Sequence, residues 1–144
     1  MTDEISRHNS QSYVIGKQDP FLPTGRIGDA LRQAANNWPH FEALVSVEQG
    51  IRLTWSGLDN AVDDLAAGLR ALGLCPGDRV GLWAVNSAEW VIVQLATARV
   101  GMILVTINPA YRVEEFKHAV AASGCAALIV GPAFGLGLAV FIKN

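Results

Sequence analysis

The chain has 144 residues, of which 51% are hydrophobic, and its 11 basic and 13 acidic residues give a formal net charge of −2. A chain of this length can bury one core, and the lack of a basic run disfavours nucleic acid or an anionic membrane as a partner. The sequence has no signal-peptide core and no apolar run of about 20 residues, so we expect a cytoplasmic protein without a membrane span.

The first predicted elements are an extended arm, a helix and a hairpin. Residues 1–24 are polar and contain two prolines, which disfavour regular structure. A helix is predicted over residues 27–38, where a proline stops it. The alternating segment that follows has Gln-Gly at its centre, which predicts a hairpin of residues 43–47 with residues 51–54.

The longest predicted helix begins at Ser56 and ends at Gly73. Ser56 and Asp59 have the spacing of a capping box, and apolar side chains follow at helical intervals. These apolar residues are Leu58, Val62, Leu65, Leu69 and Leu72. Asp63 and Asp64 lie on the opposite side in the first half of the helix, where negative charge interacts favourably with the helix dipole. We expect them to be solvated and not to form an acid/base pair.

The second half of the sequence alternates strands and helices. Strands are predicted over residues 80–85, 102–107 and 127–130, with one helix over residues 88–100 and another ending at Gly124. The order β-α-β-α-β with short connections implies right-handed crossovers and a parallel sheet. The predicted fold class is therefore α/β.

Two apolar segments have too few predicted neighbours to bury their side chains. The helix over residues 88–100 is apolar on nearly every side, so it requires cover all round, and the rest of the chain offers little. Residues 133–144 form an apolar, glycine-rich tail without a confident helix pattern. Both features predict exposed apolar surface and self-association.

Polar residues at the ends of the predicted strands are the first places to look for a ligand site, because open α/β sheets bind ligands there. Asn86 and Ser87 follow one strand, and Thr106 and Asn108 end the next. The turn before Ser87 contains no glycine that would let the backbone close around a phosphate, so we interpret Asn86 and Ser87 as helix caps. The glycines of residues 131–137 lack the Lys-Ser/Thr of a phosphate loop.

Other reactive side chains form no catalytic pattern. His8, His40 and His118 are not near a nucleophile in a suitable sequence context, and Cys75 and Cys125 lie outside any metal-binding spacing. A phosphorylatable receiver domain would need Asp at a strand end, where this chain has Asn86 and Asn108. The sequence therefore predicts no catalytic, cofactor-binding or metal-binding residue.

A family resemblance covers residues 12–132. The segment LTW at residues 53–55, together with Leu58, resembles the first core motif of adenylate-forming enzymes, and ATARVGMILVTINPAY, ending at Tyr111, resembles the second. The long ordered similarity resembles the N-terminal region of AMP-dependent acyl-CoA synthetases, with most similarity to medium-chain fatty acyl-CoA ligases. Both motifs are chiefly scaffold in that family.

The resemblance implies which parts of such an enzyme this sequence contains. Family members use ATP, Mg and CoA to convert a fatty acid to an acyl-adenylate and then to a thioester. Their phosphate loop, ribose-binding acid and catalytic lysine lie later in the family's chain, and these motifs do not occur here. We therefore expect residues 25–132 to be the N-terminal part of a synthetase domain, without activity or bound cofactor of its own. The alternative is a non-catalytic α/β interaction module that pairs with itself or a partner.

Overall fold

The fold contains four helices and six strands in the part of the chain that the structure describes. The computed structural model describes residues 25–131 and 139–142. In chain order the elements are α1 (Ile27–Asn37), β1 (Glu42–Ser46), β2 (Ile51–Thr54), α2 (Trp55–Ala71), β3 (Arg79–Trp83), α3 (Ala88–Arg99), β4 (Ile103–Ile107), α4 (Val113–Ser123), β5 (Ala127–Val130) and β6 (Ala139–Ile142). The expected arm over residues 1–24 lies outside the described residues.

Four strands form the main sheet in the order β4-β3-β5-β6. Strand β3 pairs in parallel with β4 on one side and β5 on the other, with α3 and α4 as the connections. The predicted β-α-β-α-β order, the parallel sheet and the α/β class are thus confirmed. Strand β6 comes from the predicted apolar tail and pairs antiparallel with β5.

The hairpin of β1 and β2 is a separate two-stranded sheet. The two strands pair antiparallel, as predicted, and Gly50 in the turn has φ 66°. Glycine tolerates this left-handed backbone, which explains its place beside Gln49.

Helix α2 begins earlier than the sequence indicates. Its N-cap is Thr54, whose Oγ1 accepts a hydrogen bond of 3.1 Å from the Gly57 backbone N–H. The predicted capping box of Ser56 with Asp59 is therefore wrong, because Asp59 lies inside the helix and is 5% exposed. The predicted stop is confirmed at Gly73, which has φ 89°.

Helix α3 lies between two apolar clusters. Val93 packs in the cluster that α2 and α3 form with the sheet, whereas Ala96 packs in the cluster of α1, α2 and α3. Leu65 and Val100 border both clusters. Within α3 only Gln94 is fully exposed, but only four of its residues are buried and the rest are partly exposed, so the chain covers this helix in part. An all-round apolar helix is stable here because the sheet covers one side and two helices cover another.

The opposite face of the sheet is covered more sparsely. Helix α4 has no fully buried residue, and Phe116 provides its ring contact with Trp83 at a centroid distance of 4.4 Å. The predicted end of α4 is confirmed, because Gly124 is its C-cap with φ 63°. Among residues 25–131 and 139–142, no helix combines the length and apolarity required to cross a bilayer.

Candidate functional site

A cleft lies where β3 and β4 reach their carboxyl ends, the position at which parallel sheets bind ligands. It has a volume of 510 Å³, within the range of small-molecule sites. Its lining residues come from the two strand ends and the segments after them: Ala84, Val85, Asn86, Trp90, Thr106, Ile107, Asn108, Pro109 and Tyr111. The structure thus brings together the strand-end residues that the sequence singled out, except Ser87, and none of the lining side chains is charged.

The N-terminus of α3 borders this cleft, and two of its backbone donors are already occupied. Ser87 Oγ accepts a hydrogen bond of 3.2 Å from the Trp90 N–H, which confirms Ser87 as the predicted cap. Gln49 Oε1, from the hairpin turn, accepts a bond of 2.8 Å from the Ala88 N–H. Helix N-termini bind phosphate through such donors. The intramolecular acceptors therefore compete with any phosphate at this helix.

Negative charge at the same helix end also disfavours an anion. Glu89 lies in the first turn of α3, and Gln49 Nε2 donates a hydrogen bond of 2.8 Å to its Oε2. That bond, with further bonds from the backbone N–H of Glu89 and from Ser87, holds the pKa of Glu89 below its ordinary value against the opposing effect of burial. Glu89 is consequently ionised at neutral pH.

The end of β4 uses its polar groups to shape the next turn. Asn108 Oδ1 accepts a bond of 2.9 Å from the Ala110 N–H, and the Asn108 carbonyl accepts one of 3.2 Å from Trp83 Nε1. At the following helix, Glu115 Oε2 accepts a bond of 2.7 Å from the Arg112 N–H. These contacts make Asn108 a turn residue and place another carboxylate at a helix start.

A second polar cluster joins α1, α2 and α3 on the far side of α3. Asp59 and Asp63 each form ion pairs with both Arg32 and Arg99, at distances of 2.6 to 3.0 Å. The side chain of Asp63 is 42% exposed and so remains partly solvated as expected, but its two ion pairs were not predicted. Asp64 is exposed as predicted. The cluster was missed because the partners of these carboxylates are 27 to 40 residues away in sequence, beyond any local pattern.

The remaining side chains considered from the sequence do not assemble into a reactive site. His40 and His118 are exposed, Cys125 is buried and Cys75 is exposed, while His8 and residues 132–137 lie outside the described residues. Across residues 25–131 and 139–142, no group of three or more His, Cys, Asp or Glu side chains is placed to hold a metal ion. The described residues therefore offer a neutral cleft with acidic groups beside it.

Sequence comparison relates the chain to acyl-CoA ligases. Residues 31–140 match the family described as AMP-binding enzyme. The chain is 45% identical over 118 residues to the medium-chain acyl-CoA ligase ACSF2, mitochondrial, of Macaca fascicularis. This match covers 82% of the chain but 19% of the relative, so the chain spans about a fifth of the relative's length.

Solved structures show the same relationship at the level of the fold. A Mycobacterium tuberculosis fatty acyl CoA synthetase superposes with a TM-score of 0.71 at 30% identity, covering 76% of this chain and 23% of that one. The N-terminal domain of FACL13 from Mycobacterium tuberculosis gives a TM-score of 0.73 at 29% identity, covering 78% of this chain and 30% of that one. The fold thus corresponds to the N-terminal subdomain of adenylate-forming enzymes.

The comparisons also correct one expectation. A cytoplasmic location was expected from the lack of a signal peptide and of a membrane span, but the similar ACSF2 ligases are named as mitochondrial proteins. The expectation is wrong because those two features do not distinguish the cytoplasm from an organelle interior. The extent of the family match and the shared fold leave one assignment: the chain belongs to the AMP-binding enzyme family, as the N-terminal region of an acyl-CoA synthetase.

Proposed function

We propose that this chain supplies scaffold for an acyl-CoA synthetase and performs no ligase chemistry by itself. In the intact enzyme we expect a fatty acid, ATP with Mg, and CoA as substrates, as the names of the similar ligases suggest. Residues 25–132 would form the start of the synthetase domain, and residues 133–144 the apolar tail after it, whose strand β6 joins the same sheet.

The chemistry of the cleft carries this proposal. Adenylation brings a carboxylate and the ATP phosphates together, which requires positive charge and free donors at the reacting atoms. The cleft lining instead carries amides, hydroxyls and apolar groups, and Gln49 and Ser87 occupy donors of the adjacent helix. Glu89 adds negative charge beside them. These features support a structural role for the cleft and disfavour ATP binding by this chain alone.

The decisive measurement is acid-dependent exchange of pyrophosphate into ATP by the purified chain. We expect no exchange above a preparation from cells that lack the gene, because each missing group that stabilises developing charge costs about 100-fold or more in rate. A full-length ligase of the ACSF2 type, assayed in parallel, shows that the assay detects the reaction. Exchange by the chain that depends on the fatty acid would contradict the proposal.

Ligand binding can be tested without catalysis. A ligand present at about 100 times its dissociation constant stabilises the folded state by about 2.7 kcal/mol, enough to raise the melting temperature measurably. We expect no saturable shift with millimolar ATP and Mg, or with CoA. A shift that saturates with ATP would show that the chain binds the nucleotide and would contradict the proposal.

A second candidate function is a non-catalytic module that pairs with itself or with another protein. The partial cover of α3 favours it, because the sheet and two helices leave only Gln94 of this apolar helix fully exposed within the described residues. Size-exclusion chromatography separates the two candidates. A module elutes as one defined species, whereas a fragment that depends on the remaining domain elutes as a broad range of aggregates.

A further inference from the structure

A further cleft lies between the hairpin of β1 and β2 and the start of α3. It has a volume of 390 Å³, with residues 44–48 lining one side of it and residues 86–88 the other. Asn86 also lines the cleft at the ends of β3 and β4. The segment of residues 86–88 is therefore the wall between the two clefts, and its position affects the shape of both.

Gln49, in the turn of the hairpin, connects the hairpin to this wall. Its Oε1 accepts a hydrogen bond of 2.8 Å from the Ala88 N–H and one of 2.7 Å from the Ser46 hydroxyl, and its Nε2 donates one of 2.8 Å to Glu89 Oε2. One amide thus joins the end of β1, the hairpin turn and the first turn of α3. We call these contacts the Gln49 clamp.

The other backbone donors in the first turn of α3 have local acceptors. Ser87 Oγ accepts from the Trp90 N–H, and the Glu89 carboxylate accepts from its own backbone N–H. The Ala88 N–H instead donates to the hairpin, and Ala88 is 2% exposed. Breaking the Gln49 clamp would leave this donor without its protein acceptor, at a cost in free energy, and would release the start of the helix.

We propose that Gln49 is a positioning residue, which fixes the segment of residues 86–88 to the hairpin so that the hairpin turn sets the wall between the two clefts. The hairpin is a sheet of its own, separate from the main sheet. Leu44 and Leu53 pack against the cluster of α1, α2 and α3, but Val47 in the turn is 85% exposed. Apolar packing therefore holds the strands of the hairpin, and polar contacts hold its turn. The clamp requires no ligand and does not depend on the proposed synthetase role.

Amide hydrogen exchange of the full 144-residue chain, followed by NMR for each residue, tests the clamp. Gln49→Met keeps an unbranched side chain of similar length but removes both polar groups. We expect the Ala88 amide to exchange about tenfold faster, because a lost hydrogen bond from a buried donor makes local opening easier by this order. The amides of β3 and β5 should keep their rates. Glu48→Met is the matched control, since Glu48 lies in the same turn and forms no hydrogen bond with α3 among the described residues.

Exchanging the two polar partners tests the clamp apart from the size of the side chain. Gln49→Glu places a carboxylate against that of Glu89, so we expect fast exchange at Ala88 here too. Adding Glu89→Gln again sets a donor opposite an acceptor, with the two groups reversed. We expect the double variant to return to within about threefold of the wild-type rate at Ala88, since the two sites are directly coupled.

The NMR signal of the Trp90 indole N–H reports on the wall from the side of the strand-end cleft, which Trp90 lines. We expect it to shift in Gln49→Met and in Gln49→Glu, and to return in the double variant. An unmoved signal would overturn the proposal, as would an Ala88 rate that stays unchanged in Gln49→Met or rises equally in Glu48→Met. Equal acceleration in β3 and β5 would also overturn it, because Gln49 would then act on overall stability. If circular dichroism shows that Gln49→Met is unfolded, the double variant decides, and a lack of rescue overturns the proposal.

Discussion

Arg99 links three helices by ion pairs and hydrogen bonds. From α3 it places Nη2 at 2.6 Å from Asp59 Oδ1 and Nη1 at 2.6 Å from Asp63 Oδ1, both carboxylates being on α2. It also donates to the Gly28 carbonyl of α1 at 3.4 Å. Burial opposes the charge of Arg99, but the hydrogen bonds and negative charges of the two aspartates raise its pKa above the ordinary value. The cluster thus fixes α1 and α2 against α3 by satisfied ion pairs.

Replacing Arg99 should therefore cost more than replacing an exposed arginine. Arg99→Ala leaves Asp59, whose side chain is 7% exposed, with Arg32 as its remaining charged partner. We expect a loss of about 3 kcal/mol in the free energy of unfolding, measured by urea denaturation. Arg52→Ala is the matched control, since Arg52 pairs with Glu42 at the surface and should contribute less than about 1 kcal/mol. Equal losses for the two variants would contradict a structural role for the cluster.

The stability of the chain should also fall in acid through Glu89. Its pKa is lowered in the folded state from a reference of 4.5, so the charged form adds stability above that pH and the gain disappears as the pH falls through the lowered value. We expect Glu89→Gln to melt below the wild type at neutral pH and to lose less stability on acidification. Melting temperatures from about pH 7 to about pH 3 test this linkage.

Asp64→Asn is the control for the acid titration. Asp64 is an exposed residue of α2 and forms none of the ion pairs found among the described residues. We expect its melting temperature to follow that of the wild type at each pH. A Glu89→Gln curve parallel to the wild type would show that the hydrogen bonds to Glu89 do not contribute to the pH dependence.

At the scale of elements, the strands and helices around the cleft could be predicted from short-range features of the sequence. Ser87 and Gly124 mark helix ends by mechanisms that act within a few residues, so their roles could be predicted from the sequence. The start of α2 could not, because Thr54 and Ser56 are both capable caps and the packing of the helix decides between them. The role of Gln49 depends on contacts with α3, about 40 residues away, and no periodic pattern reports such a contact.

The end of β5 packs closely against the end of β3, and glycine makes this possible. A Cβ atom on Gly131 would lie 2.7 Å from the Ala84 Cβ, whereas one on Gly68 in α2 would meet no atom within 4 Å. We expect Gly131→Ala to destabilise the fold by about 1–3 kcal/mol through overpacking. Gly68→Ala should stabilise it by about 0.5–1 kcal/mol, because alanine is the better helix former.

Thermal unfolding of the two alanine variants tests this close packing. A melting temperature that falls for Gly131→Ala and rises for Gly68→Ala is the expected result. If Gly131→Ala and the wild type have the same melting temperature, the ends of β3 and β5 can move apart at little cost. The part of the cleft that Ala84 lines would then be deformable.

At the scale of the whole molecule, the two apolar clusters should unfold together. Both contact α3, and Leu65 and Val100 border each of them, so losing one cluster removes cover from the other. The sheet and the helical layer are therefore not independent units. Coupled clusters would give the isolated chain a single unfolding transition, whereas a sheet that needs the remaining domain would melt apart from the helices.

Two leucine substitutions, one in each cluster, test the coupling. Leu82 in β3 is 1% exposed and Leu58 in α2 is 3% exposed, so truncating either to alanine should cost about 3 kcal/mol. We expect each variant to show one transition, with far-ultraviolet circular dichroism and tryptophan fluorescence giving the same lowered midpoint. Val47→Ala should have the same melting temperature as the wild type, because Val47 is 85% exposed. The contrary outcome is two separate midpoints for the two probes, with Leu58→Ala lowering one midpoint and Leu82→Ala lowering the other. That result would mean that α3 does not couple the two clusters and that the sheet and the helical layer unfold as separate units.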